Sequence, residues 1–466
     1  MAEPSPPSDH TNDVTTGLNV ESVIGKQHST HVRLYAYGVA ILLAIVVLVL
    51  TGAERGSAGY LSLLGVASVA YLAAVYEVVR AHGRTGGLVI CLALAALWRV
   101  SLLLTPPAEH DDVYRYIWDG RLQRLGYNPY LKIPADPNLA HLHTPATRRM
   151  NNPHISSPYP PAAQLFFRVV SGIHESVVAF RLALVLCDVL IVIVILSWLA
   201  RMRLSPWLVL AYAWNPLVAL EGAGNGHIDL LGVLLLAISF LALTRGRTAV
   251  AAVSFALAVS VKFLPIVLVP LFWGRVRMRD VILGCAVFVA LYVPFLIDGR
   301  VAIPKGWIPT GSLSVLVDKF RFNDLLFALL ESIANPRAVA GLAVLVGLGV
   351  AGWLRVRLPP HSPAAWAWPM AGALFFAPLI YPWYLVWLTP FLTTLTTLPL
   401  MVWTVSVLST YVVWHLADLG AAWVVPWWVS LFEYGTVGAA AGWVIFYRRT
   451  RKVESIASPG DPPDGS

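Results

Sequence analysis

Apolar runs long enough to cross a bilayer recur along the whole chain, and nothing else narrows its fold as much. A hydrocarbon core about 30 Å thick takes roughly 17–25 residues of helix. Runs of this kind lie near Leu34–Leu50, Tyr60–Val79, Leu88–Leu104 and Val177–Leu199. Others follow near Trp207–Leu220, Ile228–Leu243, Ala249–Trp273, Val281–Phe295, Ala338–Trp353, Ala364–Leu379, Leu385–Thr396, Leu398–Trp414 and Val424–Tyr447. Only 12% of the 466 residues are charged and 58% are hydrophobic, whereas soluble domains carry about a quarter charged residues. The fold class is therefore all-α polytopic membrane protein, with about 12–14 transmembrane helices.

Charge sets the orientation. The formal net charge of +8 sits largely in short loops: Arg80 to Arg84, Arg201 and Arg203, Arg245 and Arg247, Arg275 to Arg279, Arg355 and Arg357, and Arg448 to Lys452. Lys and Arg in short loops mark the cytoplasmic side, so topology explains the surplus and no nucleic-acid partner is implied. With the amino terminus inside, these clusters fall on one face. The run Ala249–Trp273 starts and ends at basic clusters, which requires a hairpin of two short halves with Lys262 near the outer bend and Pro265 just after it. Residues 1–31 and 453–466 read as disordered cytoplasmic tails, since both are polar and neither holds an apolar core. Residues 32–452 read as one transmembrane domain with an outer loop over 105–176. Cys91, Cys187 and Cys285 all lie inside apolar runs without paired spacing, the pattern of buried core thiols rather than of disulfides or a metal knuckle.

The longest polar interruption, Glu109 to Pro161, emerges on the outer face and opens on the carboxylate pair Asp111–Asp112. Such a pair is commonly no more than a solvated loop feature. At a membrane exit, among Tyr and Trp, neighbouring carboxylates push one another's pKa apart, as a general base requires. Arg115, Arg121 and Arg124 follow on a helical stretch. They suit phosphate oxygens and equally suit a surface helix against lipid headgroups. Glu221, Asn225, His227 and Asp229 flank a glycine-rich outer turn. A carboxylate there, costing about 2.5–3.5 kcal/mol at the bilayer centre, persists if it is paired, wetted or used. Their spacing matches no standard metal-ligand motif, which makes cavity lining the stronger reading. Lys262 fits a snorkelling anchor or a clamp on a lipid phosphate. Tyr381, Trp383 and Tyr384 fit an interfacial aromatic belt or a stacking surface for a sugar ring. Arg99, Asp188 and Glu433 lie within apolar runs, where they could pair among themselves.

Five motifs in order then carry a resemblance. They are Asp111-Asp112-Val113-Tyr114-Arg115-Tyr116 with Trp118-Asp119-Gly120-Arg121, Gly126-Tyr127-Asn128-Pro129-Tyr130 and Ser157-Pro158-Tyr159-Pro160-Pro161; Asn215-Pro216-Leu217 with Glu221 and Asn225-Gly226-His227-Ile228-Asp229; Val261-Lys262-Phe263-Leu264-Pro265; Phe320-Arg321-Phe322-Asn323-Asp324; and Tyr381-Pro382-Trp383-Tyr384-Leu385. Over Leu88 to Leu392 the chain resembles the GT-C glycosyltransferases, and most closely the bacterial mannosyltransferases that use polyprenyl-phosphate-mannose. The resemblance implies inverting transfer of a hexose, mannose in the first place, from a polyprenyl-phosphate donor to a glycan or glycolipid acceptor. The reaction would occur on the non-cytoplasmic face of the cytoplasmic (inner) membrane. It implies Asp111 as the base and Asp112 as its orienting neighbour. It also implies Arg115, Tyr116, Arg121, Asn128, Tyr130, Tyr159, Glu221, Asn225, His227, Asp229, Lys262, Arg321, Asn323, Tyr381, Trp383 and Tyr384 as substrate-binding positions. Arg115, Arg321 and Lys262 are the cations suited to the departing phosphate. No cofactor is required by that chemistry, and a divalent metal stays open. Membrane lipids are the remaining partners. Two other readings stand beside it. A transporter or lipid flippase would spread its charges along a path between broken helices, and a polysaccharide polymerase or ligase would use a diphosphate-linked substrate.

Overall fold

The computed structural model describes residues 12–80, 86–106, 111–296 and 310–457. The remaining residues of the two expected tails, part of the Arg80–Arg84 loop, Glu109 and His110, and residues 297–309, which follow the apolar run Val281–Phe295, lie outside the described residues. Among the described residues every extended element is helical, and the β pairing is a single parallel bridge between Phe322 and Leu379.

Three long helices open the chain: α1 (Asn12–Thr51), α2 (Ala58–Arg80) and α3 (Gly86–Leu103). α1 begins at Asn12 and runs on through the first apolar stretch. The outer loop folds as α4 (Asp112–Arg124), an irregular strap, and α5 (Pro161–Ile173), followed by the spanning helix α6 (Val177–Arg201). Gly120 lets α4 and α5 touch, because a Cβ there would lie 2.3 Å from the Phe167 carbonyl oxygen. Seven stretches are long and apolar enough to cross a membrane: His31–Thr51, Ala58–Val79, Val177–Arg201, Met278–Phe295, Pro336–Arg357, Leu395–Asp418 and Trp427–Thr450. Gly87–Leu103, Asp229–Thr244 and Thr248–Val259 are shorter apolar helices.

Several expected spans are broken, and proline explains each break. Instead of one helix over Trp207–Leu220 there are two single turns, α7 (Leu210–Ala213) and α8 (Pro216–Ala219), then a π-helical turn at Leu220–Gly224. Pro216 has no N–H and its ring crowds the preceding turn, while the Asn215 side chain accepts from the Leu217 N–H at 3.0 Å and restarts the helix. α9 (Asp229–Thr244) and α10 (Thr248–Val259) follow. The expected hairpin then appears as α10 and a 3-10 segment, Leu264–Phe272, with Lys262 in the break between them. The expected helix Leu385–Thr396 is a 3-10 run over Pro382–Phe391, with Pro382 at its start and Pro390 inside it.

The second half comprises α11 (Met278–Tyr292), α12 (Leu313–Lys319), α13 (Leu325–Glu331), α14 (Pro336–Arg357), α15 (Ala364–Phe375), α16 (Leu398–Ser406), α17 (Val412–Asp418) and α18 (Trp427–Ala457). Large rings fill the interior, among them Trp98, Trp118, Trp207, Trp214, Trp366, Trp387 and Trp403. Valines, leucines and isoleucines such as Leu43, Val69, Ile282 and Leu345 stand exposed on the outside of the helices, which suits a lipid solvent. Cys91 and Cys187 are buried, but Cys285 is exposed. It lies on α11, a helix of membrane-spanning length and composition that packs on α10 where Gly284 meets Ala252.

Charges inside the bundle are paired, as the cost of desolvation demands. Arg99 binds Asp188 and also donates to the Ala213 carbonyl at 2.9 Å, and Tyr212 donates to the same carboxylate at 2.8 Å. Glu433 takes a different partner from those two. It accepts from Asn323 at 3.0 Å and from the Trp403 indole at 2.6 Å. That contact and the Phe322–Leu379 bridge tie the segment around Phe322 and Asn323 to the helices.

Candidate functional site

Asp111 is the residue before α4, in extended backbone, and its carboxylate caps the helix by accepting the Asp112 N–H at 2.7 Å. Its Oδ2 accepts from Arg55 Nη2 at 2.9 Å. The same nitrogen reaches Asn225 Oδ1 at 3.0 Å. His227 stands behind, with Nε2 3.5 Å from Asp111 Oδ1 and Nδ1 2.8 Å from Glu221 Oε2. Glu221 accepts the Tyr411 hydroxyl and the Asn225 amide. Two carboxylates and two basic groups thus interlock, with Asp111 5% exposed and Glu221 and His227 each 1%.

The turns around the network account for its geometry. Arg55 is delivered by the tight turn between α1 and α2, where Gly56 adopts φ +84° and a Cβ would lie 2.1 Å from the Tyr411 carbonyl oxygen. Gly226, at φ +76°, reverses the chain before His227. Burial alone would raise the Asp111 pKa, but Arg55 and His227 outweigh it and hold the carboxyl below its usual range. Burial opposes the charged form of His227, yet Glu221, Asp111 and Asp112 hold its pKa above the usual value.

In front of this network lies a cavity of about 1220 Å³. Of the positions picked out in the sequence, Asp111, Asp112, Arg115, Tyr159, Lys262, Arg321, Tyr381, Trp383 and Tyr384 line it. Asp112 accepts the Asn151 side-chain amide at 2.6 Å. Lys262 Nζ sits 3.8 Å from the Tyr384 ring centre and donates to Asp229 at 2.7 Å, which the Trp387 indole also reaches at 2.6 Å. Four rings form a column along one wall. His227 stacks on Trp383 at 4.1 Å, Trp383 on Tyr381 at 4.5 Å, and Tyr381 on Phe322 at 4.4 Å.

The other expected residues serve the wall rather than the space. Glu221, Asn225, His227 and Asp229 form the layer behind it, through the contacts given above. Tyr116 is stacked on Phe167 at 4.5 Å in the core. Arg121 binds Glu175 and the Leu142 carbonyl. Asn128 donates to the Phe295 carbonyl at 2.8 Å, and the Tyr130 hydroxyl to the Tyr159 carbonyl at 2.7 Å. Asn323 is held by Glu433.

Two of the cations that line the cavity are committed elsewhere. Arg115 donates to the Asn152 and Ile155 carbonyls and lies 3.4 Å from Asp119, which ties down the strap 150–155. Arg321 makes a two-pronged pair with Glu331, at 2.9 and 2.6 Å, and donates to the Val317 and Phe320 carbonyls. Lys262 spends one of its three donors on Asp229.

Sequence reasoning missed Arg55, Asn151, Trp414, Asp418 and Trp423, all of which line the cavity, and Tyr411 behind it. A signal for Arg55 existed. Glu54-Arg55 is a charged pair in a short turn between two apolar spans, on the side opposite the basic loops, where the positive-inside bias disfavours Arg. Trp414 and Trp423 carried none, since aromatic rings near helix ends are the ordinary interfacial pattern.

Comparison with known proteins adds two findings. The family model described as alpha-(1→6)-mannopyranosyltransferase, N-terminal domain, of the MptA/B family, matches residues 25–277. The stretch takes in Arg55, both aspartates, the Glu221–Asp229 turn and Lys262. The alpha-(1→6)-mannopyranosyltransferase A of Mycobacterium tuberculosis (strain ATCC 25618 / H37Rv) is 24% identical over 402 residues, which cover 76% of this chain and 74% of that protein.

Proposed function

This chain belongs to the MptA/B family of alpha-(1→6)-mannopyranosyltransferases, and from that premise we propose that it transfers mannose with inversion from a polyprenyl-phosphate-linked donor to a glycan hydroxyl. Family membership and the apolar helices make it a membrane mannosyltransferase. The donor and the stereochemistry are supported by the cavity. The carrying observation is the Asp111 carboxylate, held ionised by Arg55 at the wall of a cavity that also receives Lys262 and opens among exposed apolar side chains. Ile266 and Val344 line that cavity and are 39% and 40% exposed.

Asp111 takes the proton of the acceptor hydroxyl as its oxygen attacks the anomeric carbon. The bond from that carbon to the phosphate oxygen breaks on the opposite face, and polyprenyl phosphate leaves with the electron pair. Inversion at a β-linked donor yields the α linkage named for the family. Oδ2 of Asp111 accepts one protein hydrogen bond and has capacity for a second. Asp112, fixed by Asn151, orients the acceptor. Lys262 neutralises the charge developing on the phosphate. Polyprenyl phosphate, released as a phosphate monoester, is already a fair leaving group, so electrostatics and positioning account for the catalysis. Arg55 and His227 act through Asp111 as positioning residues.

The side of the membrane is argued from the helix ends. α6, α9, α14 and α18 each run from the cavity side towards Arg201, Arg245, Arg357 and Arg448 respectively. Basic ends mark the cytoplasm, so the cavity faces the other side of the cytoplasmic membrane, within one GT-C domain over 32–452. Charged and aromatic groups gather in one cavity rather than along a path, which favours an enzyme over a transporter.

Transfer of radiolabelled mannose from synthetic β-polyprenyl-phosphate-mannose by the purified protein tests the proposal. Asp111→Asn is expected to lower kcat by at least about 10²-fold while eluting and melting as a folded protein, and the α-linked donor is expected to be inert. A folded Asp111→Asn protein that transfers at the native rate would remove the base.

A further inference from the structure

The cavity has two unlike flanks. One is built from Leu264, Ile266 and Val267 of the 3-10 segment after Lys262, Leu313 and Leu316 of α12, and Ala340 and Val344 of α14. It is apolar and it begins at Lys262, whose ammonium lies 3.8 Å from the Tyr384 ring centre. The opposite flank is acidic and aromatic. Arg55, which holds Asp111, lies 5.8 Å from the Trp414 ring. Trp414 meets Trp423 edge to face at 4.9 Å. Glu54 and Asp418 complete this side. Trp423 is 42% exposed, Asp418 is exposed, and Glu54 is half exposed and touches His415 at 2.9 Å.

Trp423 is exposed, Trp414 is half-buried behind it, and the two indoles meet at 72° beside the Glu54 and Asp418 carboxylates that line the same cavity. A pyranose ring suits that arrangement. Its axial C–H groups pack on an indole face, and its hydroxyls donate to carboxylate oxygens, which accept only. An anionic acceptor is disfavoured on this flank, where Glu54 and Asp418 join Asp111 and Asp112 beside Arg55, while the other lining cations, Arg115, Lys262, Lys319 and Arg321, belong to other elements. A 1→6 linkage requires attack by a primary hydroxyl on an exocyclic carbon. That arm can project past the ring, so a sugar resting on the Trp414–Trp423 flank reaches Asp111 beside Arg55.

We infer that Glu54, Trp414, Asp418 and Trp423 form the acceptor subsite, and that it takes an uncharged α-mannoside by its ring face and secondary hydroxyls. The inference rests on the transferase reading above for its reaction but not for its binding. Trp414, Asp418 and Trp423 lie beyond the stretch that the family model matches. The donor's lipid then belongs to the apolar flank, and the two substrates meet at Asp111 from opposite sides.

The full chain in lipid nanodiscs, titrated with methyl α-mannopyranosyl-(1→6)-α-mannopyranoside, tests this by equilibrium binding and by transfer. Trp423→Ala and Asp418→Asn are each expected to raise the Kd and the acceptor KM about tenfold, equivalent to about 1.4 kcal/mol, while donor KM stays within about twofold. Trp423→Phe should recover most of the loss. The same disaccharide bearing a 1-phosphate should bind more weakly than the methyl glycoside. Unchanged acceptor binding in both variants, or a donor KM that rises in parallel, would overturn the subsite. Native protein that binds the mannoside in a Trp423-dependent way yet never transfers mannose would instead overturn the transferase reading and leave the subsite standing.

Discussion

At the scale of single residues, Asp111 shows how one side chain meets three demands at once. It caps α4, it pairs with Arg55, and it faces the cavity. A carboxylate this buried keeps its charge only through its partners, so the site's pH behaviour depends on Arg55. Replacing Arg55 by Met leaves burial unopposed by that cation and moves the Asp111 pKa upward. The acid limb of the kcat/KM profile, set below the ordinary carboxylate value of about 3.9 in the native protein, is expected to shift to higher pH in the variant. Stability should follow the same sign. The depressed Asp111 pKa contributes stability above about pH 3.9 that is lost as pH falls through the folded value. Breaking the pair should cost about 3–5 kcal/mol at neutral pH. Denaturant titration across pH 3–7 with a parallel rate profile would read both, and an acid limb that does not move would separate Arg55 from Asp111.

At the scale of elements, the breaks matter more than the helices. Pro216 and Asn215 stop one span so that the π-helical turn can carry Glu221 behind Asp111. The break after α10 places Lys262 against Tyr384, where an unbroken helix would have continued past it. The turn between α1 and α2 supplies Arg55, which assigns these two helices a part in the site. Gly56 is the tightest test of that role. Its φ of +84° and the 2.1 Å approach of a Cβ to the Tyr411 carbonyl oxygen leave no room for a side chain. Gly56→Ala is expected to lower the Tm and to abolish most transfer, while Gly59→Ala, three residues on and in open surroundings, should change neither. A Gly56→Ala protein with native activity would show that Arg55 is not delivered by this turn.

At the scale of the whole molecule, the helices hold a cavity at one end of the bundle and basic clusters at the other. Cysteine labelling in intact cells reads that polarity directly. Asp418→Cys, exposed at the cavity mouth, is expected to react with a membrane-impermeant maleimide added outside. Arg247→Cys should react only after the membrane is opened. The native Cys285, exposed on α11 inside a span, should stay unlabelled in both cases because its surroundings are lipid. The reverse pattern would place the cavity in the cytoplasm and end the assignment to the outer face.

Local composition determined the class and most of the map. Apolar length fixes which segments leave water, loop charge sorts their ends, and Asp-Asp beside a span marks where polar chemistry could gather. These are properties of a residue and its near neighbours, so they can be read without knowing what packs on what. Tertiary structure decided which of the marked residues meet. Arg55 reaches Asp111 across 56 positions, and the Tyr411 hydroxyl reaches Glu221 across 190. Arg115 and Arg321, equally plausible as free cations in the chain, are consumed by carbonyls and a carboxylate that folding brings to them. The reason is the strength and short reach of electrostatics in a buried setting. A charge there must find its partner within a few ångströms, and only the packing of distant segments sets which partner that is.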